Sequence, residues 1–204
     1  MSKRPIIFSA PMVRAILEGR KTQTRRVVKP QPDSLSTDGV PTRFFHKRAI
    51  GSGYQVQISC PYGAPGDRLW VRETHWMDRR DPTMVAMDLD GYVVARSGYE
   101  TGQACDVTQL SRHEFWRKRP SIHMPRWASR ILLEVTAVRV ERLQDISEAD
   151  AAAEGWMRRP EVSDDPQVHH DAARDWFSDL WESINGPGSW EANPWVWVIE
   201  FRRV

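Results

Sequence analysis

Cysteine is scarce in this chain. Only Cys60 and Cys105 occur among its 204 residues. Two widely separated cysteines provide neither a disulfide framework nor the CxxC pair of a structural zinc site. The histidines do not make up for this, because His75, His113 and His123 have no metal-motif spacing relative to the cysteines or to each other. We therefore expect no bound metal.

Long apolar segments are also missing. The chain has no run of roughly 18 apolar residues, so we expect no membrane-spanning helix. Its first residues, Met-Ser-Lys-Arg-Pro, pass into a strand-like Ile6-Ile7-Phe8 without the apolar region of a signal peptide. Together with the few cysteines, these absences predict a reduced, cytoplasmic protein with no membrane partner.

Tryptophan, by contrast, is abundant. The chain has ten tryptophans and 40% hydrophobic residues, which is enough for one domain with a substantial core. Most of the tryptophans are expected in that core, because each buries a large area. A few of them are candidates for a base-stacking pocket.

The net charge of +2 conceals two opposite regions. Residues 1–48 contain eleven Lys and Arg but three Asp and Glu, whereas residues 141–182 contain four Lys and Arg but twelve Asp and Glu. The basic region favours a phosphate-bearing partner. Alternatively, the two regions face each other in the fold.

The most informative stretch runs from Gly19 to Arg26 and reads Gly-Arg-Lys-Thr-Gln-Thr-Arg-Arg. The preceding residues 11–18 have helical periodicity, and Gly19 stands where a helix-ending glycine belongs. The β-branched residues of 22–28 predict a strand. Lys21 and Thr24 are three residues apart, so they converge only if Lys21 still belongs to the turn.

Two interpretations fit this junction. The first is a basic, solvated strand edge. The second is a Thr24 nucleophile activated by Lys21, with Arg26 holding an anion or a carbonyl oxygen.

The spacing Gly-x-Lys-x-x-Thr-x-Arg, at Gly19, Lys21, Thr24 and Arg26, resembles the signature of the ASCH family. The chain as a whole resembles the longer ASCH proteins of phages and prophages. This resemblance implies an α+β fold built on a PUA-like β-barrel with peripheral helices and inserted loops and a hairpin. It implies one domain over residues 1–204, with insertions at about 29–60 and 76–126.

The resemblance extends to small bacterial ASCH enzymes that hydrolyse N4-acetylcytidine. It implies catalytic roles for Lys21, Thr24 and Glu154, in which Glu154 holds the exocyclic nitrogen and delivers a proton to the leaving amine. Glu154 closes a short predicted helix, residues 147–154, through the less specific pattern Ala-x-x-Glu. Ser147 is a good N-cap for this helix, Gly155 is placed to end it, and a solvated Glu154 is the alternative.

A second group of candidates follows the turn Gly66-Asp67. The alternating residues 68–74 predict a strand that resembles a barrel strand of PUA-like domains. Trp70, Arg72 and Glu73 are therefore candidate substrate-binding residues, although Glu73 also suits a structural role.

Elsewhere the pattern predicts an irregular region over 29–60, a hairpin over 84–95, strands over 127–143 and 194–201, and an amphipathic helix over 171–185. Two basic-aromatic patches occur at residues 43–48 and 116–120. Each is a candidate for nucleic-acid contact or for a loop anchored by its aromatic residues.

The functional hypotheses belong to two classes. The first is a hydrolase that removes an acyl group from a modified cytosine, without a metal or organic cofactor. The alternative is a module that binds RNA or a modified base, or an ASCH-type ribonuclease, with Arg25 and Lys29 contacting nucleic acid. The expected partner is a modified nucleoside or RNA, and the sequence does not indicate the oligomeric state.

Overall fold

The computed structural model describes residues 2–46, 53–95, 106–112, 114–157 and 172–204. Strands and a few helices alternate along these ranges, as expected of the α+β class. The strands are β1 (Lys3–Ile7), β2 (Gln23–Val27), β3 (Ser34–Leu35), β4 (Pro41–His46), β5 (Gly53–Gln57), β6 (Arg68–Arg72), β7 (His75–Asp78), β8 (Met84–Met87), β9 (Val93–Ala95), β10 (Trp116–Arg119), β11 (Leu132–Arg142) and β12 (Trp195–Arg203). The helices are α1 (Ala10–Leu17), α2 (Val107–Leu110), α3 (Glu148–Ala153) and α4 (Ala172–Asn185).

The chain divides into two compact units. The first contains residues 1–17, 67–134 and 203–204, and the second contains residues 18–66 and 135–202. In the first unit, β1 pairs in parallel with β6, and Ile6 stands opposite Val71. The start of β11 pairs antiparallel with β6, where Leu133 stands opposite Leu69. These apolar residues are buried, so the pairing forms part of this unit's core.

The first unit also contains an antiparallel sheet with strand order β10-β7-β8-β9. The predicted hairpin over 84–95 is confirmed, because β8 and β9 pair antiparallel. Alternation gives this sheet two apolar faces. Val85, Met87 and Val94 pack with Met124 and Ala128 on one face, while Ala86 and Val93 pack with Leu110 on the other.

In the second unit, β12 lies between β11 and β2. Val196 and Val198 of β12 contact α3 and α4 through a core cluster that also includes Phe177 and Trp181. The apolar stripe predicted for residues 171–185 is therefore confirmed as core at Phe177 and Trp181, with Trp176 and Leu180 partly buried against the cluster. The prediction is wrong for Ile184, which is 56% exposed.

The predicted boundaries of α3 are confirmed. The Ser147 hydroxyl accepts a hydrogen bond from the Asp150 backbone N–H, and Gly155 ends the helix with φ of 107°. A positive φ at this position favours glycine.

The prediction that residues 29–60 are irregular is wrong. They contain β3, β4 and β5, which pair antiparallel in that order. The sequence pattern did not predict β4 because this strand begins with Pro41. Proline is nevertheless tolerated as the first residue of a strand. Residues 116–119 likewise form a strand, β10, which pairs with β7.

The start of the predicted strand over 127–143 is also corrected. Arg126–Ala128 form a short 3-10 turn, and the strand begins only at Leu132. In neither unit does the described order of strands return to its first strand, so closure into a barrel is not confirmed. No helix among the described residues has the length and apolar content needed to cross a membrane.

Candidate active site

The Gly19–Arg26 segment makes a bent entry into β2. Gly19 has φ of 76°, a conformation that glycine adopts without strain. Lys21 precedes the strand and forms an isolated antiparallel bridge with Glu154, while the backbone N–H of Thr22 donates to the Ala153 carbonyl over 2.9 Å. Lys21 therefore lies outside the regular strand, which is the condition under which Lys21 and Thr24 are able to converge.

The Lys21 side chain is bound by Glu154. Its Nζ lies 2.6 Å from Glu154 Oε2 and 2.8 Å from the Glu154 backbone carbonyl oxygen. The two side chains are only 0% and 2% exposed. This burial contradicts both a solvated strand edge at Lys21 and a solvated Glu154.

The pKa of Lys21 is lowered from its ordinary value of 10.5. Burial is the largest cause, because it penalises the charged ammonium, and the charges of Arg26 and Arg25 act in the same direction. The charge of Glu154 and its hydrogen bond act in the opposite direction without reversing the shift. The neutral amine that a general base requires is therefore more accessible here than in a solvated lysine.

Arg25 binds the other oxygen of the same carboxylate. Its Nη1 lies 3.2 Å from Glu154 Oε1, and its Nη2 lies 2.6 Å from Glu141 Oε1 and 3.3 Å from Asp150 Oδ2. The Arg25 side chain is 0% exposed. The guanidinium thus holds Glu154 from inside the unit and is not presented to a nucleic acid, in contrast to the expected role of Arg25.

The ion pairs continue toward the surface through Arg139. Its Nη2 lies 2.9 Å from Asp150 Oδ2, its Nε lies 3.2 Å from Glu141 Oε2, and its Nη1 pairs with Glu200. Burial favours a higher pKa for Asp150, but hydrogen bonds from Gln23 and the charges of Arg139 and Arg25 outweigh it, so that pKa is lowered. Arg25 of the basic region 1–48 thus pairs with Glu141, Asp150 and Glu154 of the acidic region 141–182, so the two regions do meet here.

A pocket of about 370 Å³ opens in the same unit. Its walls include Arg139 and Trp197 together with residues of the 38–41, 57–60 and 63–65 segments. The volume lies in the range of small-molecule sites, which begins at roughly 300 Å³. The segments that were expected to be irregular therefore supply much of the wall of this pocket.

The strand pairing places Thr24 and Arg26 on the same face of the ladder as Trp197. Trp197 stands opposite Arg26, and Ile199 stands opposite Thr24. Opposed residues of an antiparallel pair share a face. Gln23 and Arg25 use the other face, where they bind the carboxylates. Thr24 is itself buried.

The remaining candidates are placed as follows. Lys29 is exposed and Arg26 is half-buried. Trp70, Arg72 and Glu73 belong to the first unit, where the Arg72 guanidinium stacks 4.7 Å from the Trp70 ring.

Glu73 has a structural partner. Its two carboxylate oxygens accept hydrogen bonds from Arg130 over 3.1 and 2.8 Å. Glu73 is thus a buried member of an ion pair, which is the structural role that the sequence also allowed for it.

The sequence did not reveal the parts played by Glu141, Arg139 and Trp197. Two signals existed: Arg139 and Glu141 are two residues apart on one strand, and Asp150 and Glu154 are one helical turn apart. Neither signal identifies the partners, because Arg25 and Glu141 are separated by 116 residues.

Part of the sequence expectation lies outside the described residues. This applies to Lys47 and Arg48 of the first basic-aromatic patch and to Cys105 and His113. Within the described part of the chain, no group of His, Cys, Asp and Glu has an arrangement that would hold a metal ion.

No protein-family model and no curated protein matches the chain. Among solved structures, it is similar to a high-resolution crystal structure of an ASCH domain from Lactobacillus crispatus JV V101. The alignment has a TM-score of 0.37 and 12% identity, over 99% of this chain and 79% of that chain.

Proposed function

We propose that the chain is an ASCH-like hydrolase that removes an acyl group from a modified cytosine such as N4-acetylcytidine. The observation that carries this proposal is the buried pairing of Lys21 with Glu154, which accompanies a lowered Lys21 pKa. A lysine whose pKa is lowered by burial and which has a specific charge partner is a candidate for a functional site. We also propose that residues 1–204 form one such domain with insertions at about 29–60 and 76–126.

In the proposed reaction, the neutral Lys21 amine takes the proton of the Thr24 hydroxyl. Thr24 Oγ forms a bond to the acetyl carbonyl carbon, and the negative charge moves to the carbonyl oxygen. The bond from the acetyl carbon to the exocyclic nitrogen then breaks as the Lys21 ammonium returns the proton to that nitrogen. Water cleaves the acyl-threonine and releases acetate.

Glu154 acts in this scheme chiefly through Lys21. Its Oε2 is already bonded to Lys21 Nζ, and its Oε1 is bonded to Arg25. Direct contact with the exocyclic nitrogen of the substrate requires Glu154 to exchange one of these cations. Arg26, which shares a strand face with Thr24, is the candidate for stabilising the oxyanion.

The pocket bounded by Trp197 is the proposed place for the base. A tryptophan face stacks on any nucleobase, and the pocket volume suits a nucleoside-sized ligand. The same ladder face presents Thr24 beyond Arg26. The acetyl group would therefore point along the ladder from Trp197 toward Thr24.

A second candidate is a module that binds the base without hydrolysing it. This candidate is favoured because both carboxylate oxygens of Glu154 are already bound by buried side chains, those of Lys21 and Arg25. Such saturation suits a structural ion pair, which would support the fold without taking part in a reaction.

The test is incubation of the protein with N4-acetylcytidine, with cytidine and acetate followed by chromatography. We expect turnover in the wild type, loss to background in Thr24→Ala and partial retention in Thr24→Ser. Thr22→Ala is a matched control, because Thr22 is exposed and its described bonds use only the backbone.

Wild-type turnover in Thr24→Ala would exclude the threonine nucleophile. Saturable binding of N4-acetylcytidine without turnover would favour the binding module instead. A parallel incubation with RNA, analysed for shortened products, tests the ribonuclease alternative.

A further inference from the structure

The basic-aromatic segment Trp116–Arg119 takes no part in the proposed active site, and it forms an edge strand among the strands that the structure describes. This strand, β10, is the first in the order β10-β7-β8-β9 and pairs antiparallel with β7. Arg117, Lys118 and Arg119 are all exposed. Exposed cations on an edge strand discourage aberrant strand pairing, and they also create a positive surface.

The two faces of β10 differ in how their charges are used. On one face, Lys118 Nζ lies 2.7 Å from Asp88 Oδ2 and 5.7 Å from the Trp76 ring. The Trp76 indole N–H donates to the other oxygen of Asp88 over 2.7 Å. Lys118 is therefore neutralised by a neighbour on its own face.

The opposite face carries Arg117 and Arg119, which stand opposite Met77 and His75. The backbone N–H of Arg79 donates to the Phe115 carbonyl over 2.8 Å and extends the ladder by one residue, which places Arg79 on this face as well. All three arginines are exposed. Within the described ranges, none of the three guanidinium groups forms an ion pair or a hydrogen bond.

Two described carboxylates of the neighbouring strand segments are already engaged. Asp78 binds Arg80, and Asp88 binds Lys118 and Trp76. Arginines two residues apart on a strand are separated by about 7 Å, so Arg117 and Arg119 form a regular row rather than a closed pocket. A row of free guanidinium groups fits a partner with repeated phosphates, because guanidinium binds phosphate with two parallel hydrogen bonds.

We propose that Arg79, Arg117 and Arg119 form a surface that binds the phosphodiester backbone of a nucleic acid. This surface shares no residue with the Lys21 site, and its function does not depend on the hydrolase activity. Arginine contacts to phosphate make affinity salt-dependent and independent of sequence. RNA and DNA share this chemistry, and the experiment distinguishes between them.

The test is fluorescence anisotropy with labelled 20-nucleotide RNA and DNA of one sequence, at several salt concentrations. We expect Arg117→Glu/Arg119→Glu to weaken binding at least about tenfold. The slope of log affinity against log salt should also fall by roughly one to two units. The matched control is Lys3→Glu/Arg14→Glu, which makes the same charge change at exposed residues of the same unit.

Arg117→Gln/Arg119→Gln serves as a second variant, which removes the charge without introducing repulsion. Loss of binding to RNA, DNA or both in these variants, but not in the control, supports the surface and identifies its ligand. Equal affinities in variant and control would overturn the proposal. Equally tight, equally arginine-dependent binding of poly-glutamate would also overturn it, since the surface would then select charge rather than phosphate.

Discussion

Lys21 and Lys118 both lie in short segments rich in basic residues, yet their environments are opposite. The Lys21 side chain is 0% exposed and is bonded to Glu154, while the Lys118 side chain is 52% exposed and is bonded to Asp88. Arg25 is buried among three carboxylates, whereas Arg117 and Arg119 extend into solvent. Composition alone does not distinguish these segments.

The difference depends on the supply of counter-charges. A charged side chain enters the interior only where other groups replace its hydration. Glu141, Asp150 and Glu154 provide this for the Lys21 segment, and all three come from the acidic region of the chain. Among the described residues of β10, only Lys118 forms an ion pair, with Asp88.

The largest effect on stability is expected when the carboxylate is removed from the buried pair. Glu154→Gln leaves Lys21 and Arg25 without their shared counter-charge. We expect a loss of about 3 to 5 kcal/mol in the free energy of unfolding, measured by urea denaturation. Glu200→Gln is the control, because Glu200 also pairs with an arginine but its side chain is 41% exposed. A loss no greater than that of the control would show that the buried pair does not support the fold.

A second prediction concerns pH. Since the Lys21 pKa is lowered in the folded protein, the unfolded chain binds more protons at any pH between that value and 10.5. The free energy of unfolding should therefore rise with pH across this interval. Lys21→Met removes the titrating group, so the difference in stability between wild type and variant should change with pH in that sense. A difference that stays constant up to pH 10.5 would contradict the lowered pKa.

The smallest expected effect belongs to the exposed pair. Lys118→Ala removes an ion pair with Asp88 that is open to solvent. We expect a loss of less than about 1 kcal/mol in the free energy of unfolding, and the loss should shrink as salt is added. A salt-independent loss as large as that of Glu154→Gln would show that the exposed Lys118 pair stabilises the fold as much as the buried Lys21 pair does.

Local patterns predicted the elements whose signals lie within a few residues. Ser147 and Gly155 delimit α3, and the apolar stripe of residues 171–185 identifies α4. Both depend on capping and periodicity, which are properties of neighbouring residues.

Elements defined by distant partners were not predictable in the same way. The region that contains β4 lacks clear alternation, and its strand is fixed by pairing with β3 and β5. The motif indicated Lys21 and Thr24 as candidates, but it did not show that Lys21 is buried or that Arg25 binds Glu154. Those facts depend on contacts across more than a hundred residues, for which a single sequence has no local signal.

The bridge between Lys21 and Glu154 also bears on how the chain folds. A helix of six residues, as α3 is, is too short to persist alone in water. At its C-terminal end, Lys21 Nζ donates a hydrogen bond to the Glu154 carbonyl oxygen, and Lys21 lies 133 residues earlier in the sequence. Closing so long a loop is slow compared with forming a local turn. The stability of α3 therefore depends in part on a contact 133 residues away in the sequence, although its cap signals are local.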